Sequence, residues 1–444
     1  MSPHTKMLVG IIAGASLGLI APYLLPVQRV VVDLAQGVVV VKEGFAVDYE
    51  LIATYLAEPV GQIFLRLLWM MAVPLIFSAL VVGVSELDMR SLGKVGLRTL
   101  GYTVAVSSVA VAIGLTLVNV IEPGGGDNTA LRELAYEQAQ HRDVPKPPAK
   151  SGVGQFVSMI PDNPIGAAAS GDMLGLIVFG LTLGIGLSLV RTGPASRLRE
   201  VLVGLNDVSM RLIEGVMRLA PFGVAGLLFA SVSRLGFDVL GKIAIYVAVV
   251  VGALLIHMIV AYGLFLYFGA RRNPWQFLRG SRLALQTAFA TSSSSATLPT
   301  SLKVAERDLN LPGHISRFVL TAGASMNQNG TALFEGVTVL FMAQLFAVDL
   351  TLAQQASVMM ICILGGVGTA GVPGASLPVI AMMMAMYGIP PAGLALILGV
   401  DRFLDMCRTT VNVAGDLVVA ACVAEGESGL PLPDAEVVER ERGE

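Results

Sequence analysis

The sequence predicts an all-α polytopic membrane protein with eight transmembrane helices and two re-entrant helical hairpins, arranged as inverted repeats. Three observations carry this. The chain has 444 residues, 55% hydrophobic and only 14% charged, with a mean hydropathy of +0.74, more than a soluble domain can expose to water. Six segments are nearly free of charge and long enough to cross a bilayer. In the last part of the chain, two apolar stretches are interrupted by Ser, Gly and Pro, and each is followed by an apolar helix carrying polar groups.

In chain order, the ordinary spans fall at Met7 to Gln28, Leu67 to Ser85, Thr99 to Ile121, Met173 to Val190, Leu212 to Ser233 and Ile243 to Ala270. The first follows a single Lys6 and has no convincing cleavage site, so it reads as a retained helix rather than a leader. Short basic loops carry Arg90, Lys94 and Arg98, then Arg191, Arg197 and Arg199, then Arg271, Arg272, Arg279 and Arg282. They alternate with poorer loops around 28–61, 122–163 and 234–242, so the positive-inside rule places both termini in the cytoplasm. The Gly- and Pro-rich stretch 122–162 is expected to be an external crossover, and 425–444 a mobile cytoplasmic tail.

The regular pattern stops after Ala270. Gln286 to Leu302 contains TSSSSATLP, too polar at its centre to face lipid. The run 350–400 has no Asp, Glu, Lys or Arg, but it is broken by Gly365, Gly366, Gly368, Gly371, Pro373 and Gly374. Both read as hairpins of two half-depth helices. Their tips share a pattern, Ala296-Thr297-Leu298-Pro299 and Ala375-Ser376-Leu377-Pro378, and they enter from opposite sides, so the hairpin-plus-helix units form an inverted pair.

Each polar-interrupted helix carries chemistry. In the last one, Asp401, Asp405, Arg408, Thr409, Asn412 and Asp416 fall on one face at helical spacing, with Arg402 beside them. Each charge costs roughly 2.5 to 3.5 kcal/mol at a bilayer centre, so this face must line a protein-walled or watery cavity. A structural ion-pair ladder is the plain alternative; Thr and Asn on the same stripe favour a binding site. In the other, NQNGT at 327–331 should be an unwound break centred on Gly330 and the asparagines, offering oxygen ligands suited to sodium. Asn327, Thr331 and Glu335 are spaced by four and expected on one face, and Glu335, flanked by uncharged runs, is a candidate proton carrier.

Four of these motifs, DRFLDMCRTTVNVAGD, SSSSATLP, NQNGTA and GTAGVPGA, occur in an order that resembles the glutamate and aspartate transporter family, the dicarboxylate/amino acid:cation symporters. LRLLWMMAVPLIFSALVVGVSEL at 65–87 resembles its second helix, so the likeness covers nearly the whole chain. The resemblance implies a homotrimer in the inner (plasma) membrane that takes up acidic amino acids with sodium, protons or both by an elevator movement. Residues 1–98 and 163–235 would form a scaffold of helices 1, 2, 4 and 5. Residues 99–121 and 242–424 would form a transport domain of helices 3, 6, 7 and 8 with both hairpins. It implies that Asp405 binds the substrate ammonium and Arg408 its side-chain carboxylate. Thr331, Thr409 and Asn412 would complete the pocket, with Ser293, Ser294 and the backbone at Val372 on the α-carboxylate. For sodium it implies Asn412 and Asp416 with carbonyls near Gly323 and Asn327, and separately Thr369. A third family site lacks its usual partners: Asn329 stands where the family has a carboxylate, and Thr103 and Val106 replace an aromatic and a hydroxyl residue, leaving Ser107. Glu335 matches the proton-carrying glutamate of eukaryotic members.

The pocket's charges support the substrate class by themselves, since a carboxylate suits an ammonium and a guanidinium fork suits a carboxylate. A C4-dicarboxylate or neutral amino acid symporter and an ion channel are the alternatives. An intramembrane serine hydrolase is disfavoured: the histidines, at 4, 141, 257 and 314, lie far from the serine run, and no GxSxG occurs. With 29 Lys and Arg against 32 Asp and Glu, no basic surface for nucleic acid is expected. Cys362, Cys407 and Cys422 match no metal spacing and predict no disulfide, and no organic cofactor is expected.

Overall fold

The computed structural model describes residues 3–24, 32–33, 38–39, 49–85, 93–126, 160–170, 173–190, 192–235, 237–368, 376–390 and 393–427. Most of the expected external crossover, the tip of the second hairpin with Thr369 and Val372, and the tail beyond 427 lie outside the described residues. So do Arg90 and Arg191.

The described chain is helical apart from a two-residue antiparallel ladder, β1 (Val32–Asp33) with β2 (Val38–Val39). α1 (Pro3–Leu24) is followed by α2 (Tyr49–Ile52), a π-helical turn at Ala53–Ala57 and α3 (Glu58–Ser85). Then come α4 (Gly93–Ile121), α5 (Pro164–Ser170), α6 (Met173–Leu189), α7 (Gly193–Met217), α8 (Ala220–Leu235) and α9 (Phe237–Ile256). The last of these runs on through π turns at His257–Ala261 and Phe265–Gly269 that flank α10 (Tyr262–Leu264). The two halves of the first hairpin are α11 (Pro274–Thr291) and α12 (Ser294–Arg307). The broken helix is α13 (Gly313–Met326) with α14 (Asn329–Leu345), the second hairpin is α15 (Leu352–Gly368) with α16 (Ser376–Met386), and the charged helix is α17 (Leu394–Glu427).

Three helices, Lys94–Ile121, Leu240–Gly269 and Leu396–Gly426, are long and apolar enough to cross a membrane, with shorter apolar helices at Ile12–Leu24, Val73–Ser85, Gly175–Leu189 and Leu352–Gly366. This is a multi-pass membrane protein. The expected span Leu212 to Ser233 is corrected. It straddles a 54° bend between α7 and α8, beside Pro221, which has no N–H to continue the ladder, and α7 is amphipathic: it buries Leu202, Ser209, Ile213 and Val216 and leaves Arg197, Glu200 and Asp207 exposed. Several basic residues taken as loop charges sit instead on helices, Lys94 and Arg98 on α4, Arg197 and Arg199 on α7, and Arg279 and Arg282 on α11.

Packing sorts the helices. α1 runs along α8, where Gly10, Gly14 and Gly18 face the backbone of Pro221, Ala225 and Phe229, and α3 packs on α6, α7 and α8. α14 packs on α4, α9, α15, α16 and α17, while α17 also holds α11, α12 and α13. Every described residue of α14 from Asn329 to Ala343 is buried, so it forms the axis of the core. Local chemistry sets the hairpin ends. Asn273 Oδ1 accepts from Trp275 N and Gln276 N at 3.0 and 3.2 Å, with Pro274 opening α11. Thr351 and Gln354 bond reciprocally at the start of α15, as a capping box.

Candidate functional site

The break in the polar-interrupted helix of α13 and α14 lies at Asn327–Gln328, where both residues leave helical geometry. This corrects the expectation of a break centred on Gly330: Asn329, Gly330 and Thr331 already form the first turn of α14. Only Thr331 and Glu335 therefore share a continuous helical face, with Asn327 belonging to the end of α13. The cause is tertiary. Asn412 of α17 reaches across, its Oδ1 accepting from Gly330 N at 2.7 Å and Thr331 N at 3.3 Å, which satisfies N–H groups that open α14. Its Nδ2 donates to Gln328 Oε1 at 2.6 Å and to Thr331 Oγ1 at 3.1 Å. Gln328 Nε2 in turn donates to Ala324 O at 2.9 Å, and Gln328 N to Gly366 O of α15 at 3.2 Å.

A directional chain of buried hydrogen bonds leads from this break to Asp416. The Tyr262 hydroxyl donates to Asn329 Oδ1 at 2.6 Å and lies 2.8 Å from Val411 O; Asn329 Nδ2 donates to Asn327 Oδ1 at 3.0 Å; Asn327 Nδ2 donates to Asp416 Oδ1 at 2.9 Å. Two glycines make room. A Cβ at Gly415 would sit 2.5 Å from Asn329 Nδ2 and 2.6 Å from the Tyr262 hydroxyl, and one at Gly323 would sit 2.5 Å from Asp416 Oδ1. Asp416 thus lies against Gly323 and Asn327, two of the positions the sequence pairs with it for sodium.

About two to four turns before Asp416 on α17, the expected stripe is buried as a ladder of opposite charges. Arg408 Nε donates to Asp405 Oδ1 at 2.9 Å and Arg408 Nη1 to Asp401 Oδ1 at 3.1 Å. The guanidinium also lies over the Phe334 ring, 4.3 Å from its centroid. Its Nη2 edge bonds neither aspartate, so a fork edge is left for another planar anion. Thr409 is buried on the same face.

At the first hairpin's tip, Ser292 ends α11 in left-handed geometry (φ 51°) and Ser293 caps α12, its Oγ accepting from Ala296 N at 3.2 Å. Ser294 opens α12 with a buried Oγ that no described group bonds, and the buried hydroxyl of Ser376, where α16 opens, is in the same condition. Glu335 is wholly buried, with neither carboxyl oxygen hydrogen-bonded to any described residue. Its Oε2 lies 3.8 Å from where a Cβ of Gly365 would stand.

Residues 4–425 match the sodium:dicarboxylate symporter family. The chain belongs to that family. It is 33% identical over 389 residues to the proton/glutamate-aspartate symporter of Escherichia coli K12, covering 87% of this chain and 89% of that one. It is also 33% identical to the proton/sodium-glutamate symport protein of Geobacillus stearothermophilus over 85% of this chain and 89% of that one. The human excitatory amino acid transporter 3 is 31% identical over 88% of this chain and 82% of its own.

Within this symporter, three participants escaped the sequence reading. Gln328 looked like filler in the NQNGT motif yet bonds Asn412. Arg402 lay just off the charged stripe, but its Nη1 is 3.3 Å from Asp405 Oδ2. Tyr262 sits inside an apolar span, and a phenol so far from the interface needs a polar partner, which was the available signal. The π turn at His257–Ala261 re-aims the helix just before it.

Proposed function

We propose that this symporter takes up acidic amino acids, glutamate or aspartate, together with cations. The single observation that carries the reading is the buried ladder of Asp401, Asp405 and Arg408, set on α17 beside a helix break and a serine-rich hairpin tip. Asp405 gives an ammonium its counter-charge, and Arg408 turns its open edge to the side-chain carboxylate. Thr331 and Thr409 line the pocket, and the α-carboxylate lies between Ser293, Ser294 and the backbone at Val372. The names of its relatives support acidic amino acids and both coupling ions. Sodium is bound by Asp416 with Gly323, Asn327 and Asn412, and by Thr369 in the second hairpin. Glu335 carries the proton, because a wholly buried carboxyl with no donor on either oxygen is costly to leave ionised.

In this reading the protein is a homotrimer of the plasma membrane with eight spans, two hairpins and cytoplasmic termini. Residues 1–98 and 163–235 form the scaffold, and 99–121 with 242–424 move as one body in an elevator. The packing of α1, α3, α6, α7 and α8 chiefly on one another, with α3 and α8 also touching α15, α16 and α17, supports that division. The test is uptake of labelled glutamate and aspartate into proteoliposomes with imposed proton and sodium gradients. Accumulation that collapses with the gradients is expected, and flux that ignores both gradients contradicts symport.

A further inference from the structure

Asp405 is held by two arginines, one on each oxygen, and they differ. Arg408 Nε lies 2.9 Å from Oδ1 with its side chain 2% exposed, and it is anchored further by Asp401 and Phe334. Arg402 Nη1 lies 3.3 Å from Oδ2, and its side chain is 24% exposed. An ammonium approaching Asp405 therefore finds one oxygen locked and the other held by a longer, partly solvated contact. A longer ion pair with one partner reaching solvent is weaker and exchanges more readily than a short, fully buried one.

We propose that Arg402 sets the balance between acidic amino acids and dicarboxylates that lack the amino group, by holding the Asp405 oxygen that an ammonium needs. The inference rests on the pocket assigned above. An amino acid must displace Arg402 from Oδ2 and replace one cation by another. A dicarboxylate without the amino group leaves the pair in place, and with two negative charges it gains more from a nearby guanidinium than an acidic amino acid with a net single charge. Arg402 acts through Asp405 on the substrate and is a positioning residue. Its place three residues before Asp405 on α17 keeps the two side chains on neighbouring positions of the helix.

The test compares binding of L-aspartate and succinate by calorimetry to the purified full-length protein, in wild type, Arg402→Gln and Arg402→Lys. Arg402→Gln is expected to shift the affinity ratio towards aspartate by about tenfold, the scale of one exchanged ion pair. Arg402→Lys, which keeps a cation there, should restore much of the wild-type ratio at an unchanged melting temperature. A ratio unmoved by Arg402→Gln, or moved towards succinate, overturns the role of Arg402 while leaving the pocket assignment intact. Wild-type protein that binds succinate but not aspartate contradicts the amino-acid reading, and Arg402→Gln must then gain aspartate binding for the inference to hold. Binding of neither ligand by wild type sinks both.

Discussion

At the scale of single residues, Asp405 is the group on which the substrate class turns. Its carboxylate is buried and already neutralised by arginine, so in the proposed pocket an ammonium would bind by exchanging one ion pair for another in a place from which water is largely excluded. Asp405→Asn removes the counter-charge while keeping the size. The expected loss in binding of L-aspartate or L-glutamate is on the order of 2 to 5 kcal/mol, read by calorimetry. An affinity like that of wild type in this variant would place the ammonium elsewhere. Glu335 has a different role, touching no charged partner in hydrogen-bond reach. Glu335→Gln is expected to leave binding nearly intact while removing the acceleration of uptake by an inward proton gradient. A variant that still responds to that gradient would reduce Glu335 to a packed polar residue.

At the scale of elements, the broken helix depends on a partner 81 to 84 residues away in sequence. Asn412 supplies four hydrogen bonds to Gln328, Gly330 and Thr331. Asn412→Ala should therefore lower stability by about 2 to 4 kcal/mol, since several buried groups lose their partners at once. Thermal unfolding in detergent reads this out, and a melting temperature equal to wild type would mean that the break holds itself. The same dependence explains what the sequence could disclose. The stripe on α17 was legible because charges in an apolar run have few places to go, and the serine tip because hydroxyls cluster there. That NQNGT marks a break was legible from composition. Its location was not, since helical geometry resumes at Asn329 only through the amide of Asn412. The bend between α7 and α8 was hidden for another reason: hydropathy registers length without charge, whereas α7 is amphipathic and its apolar face appears only at a period of 3.6 residues. Tyr262 matters through contacts across helices, which no single-helix pattern reveals, whereas the Arg402–Asp405 pair is an i,i+3 spacing that the sequence already held.

At the scale of the whole molecule, the proposed substrate pocket and the proposed ion site share α17, and both lean on the same break. Asp405 and Arg408 lie on one stretch, Asp416 two to three turns further on, and Asn412 between them fastens α14 to both. In the proposed assignment, occupying one end of α17 would bear on the other through one continuous helix, a physical route for coupling an amino acid to a cation. The central claim is that Arg408 reads the side-chain carboxylate of the cargo. The measurement that tests it most directly is uptake of labelled L-aspartate and L-serine into proteoliposomes under identical inward proton and sodium gradients, in wild type and Arg408→Thr. Wild type is expected to accumulate aspartate and scarcely any serine, and the variant to lose aspartate while gaining serine, because a neutral amino acid has no carboxylate left unpaired. An Arg408→Thr protein that still accumulates aspartate in preference to serine would contradict the account, leaving the guanidinium as no more than the structural partner of Asp401 and Asp405.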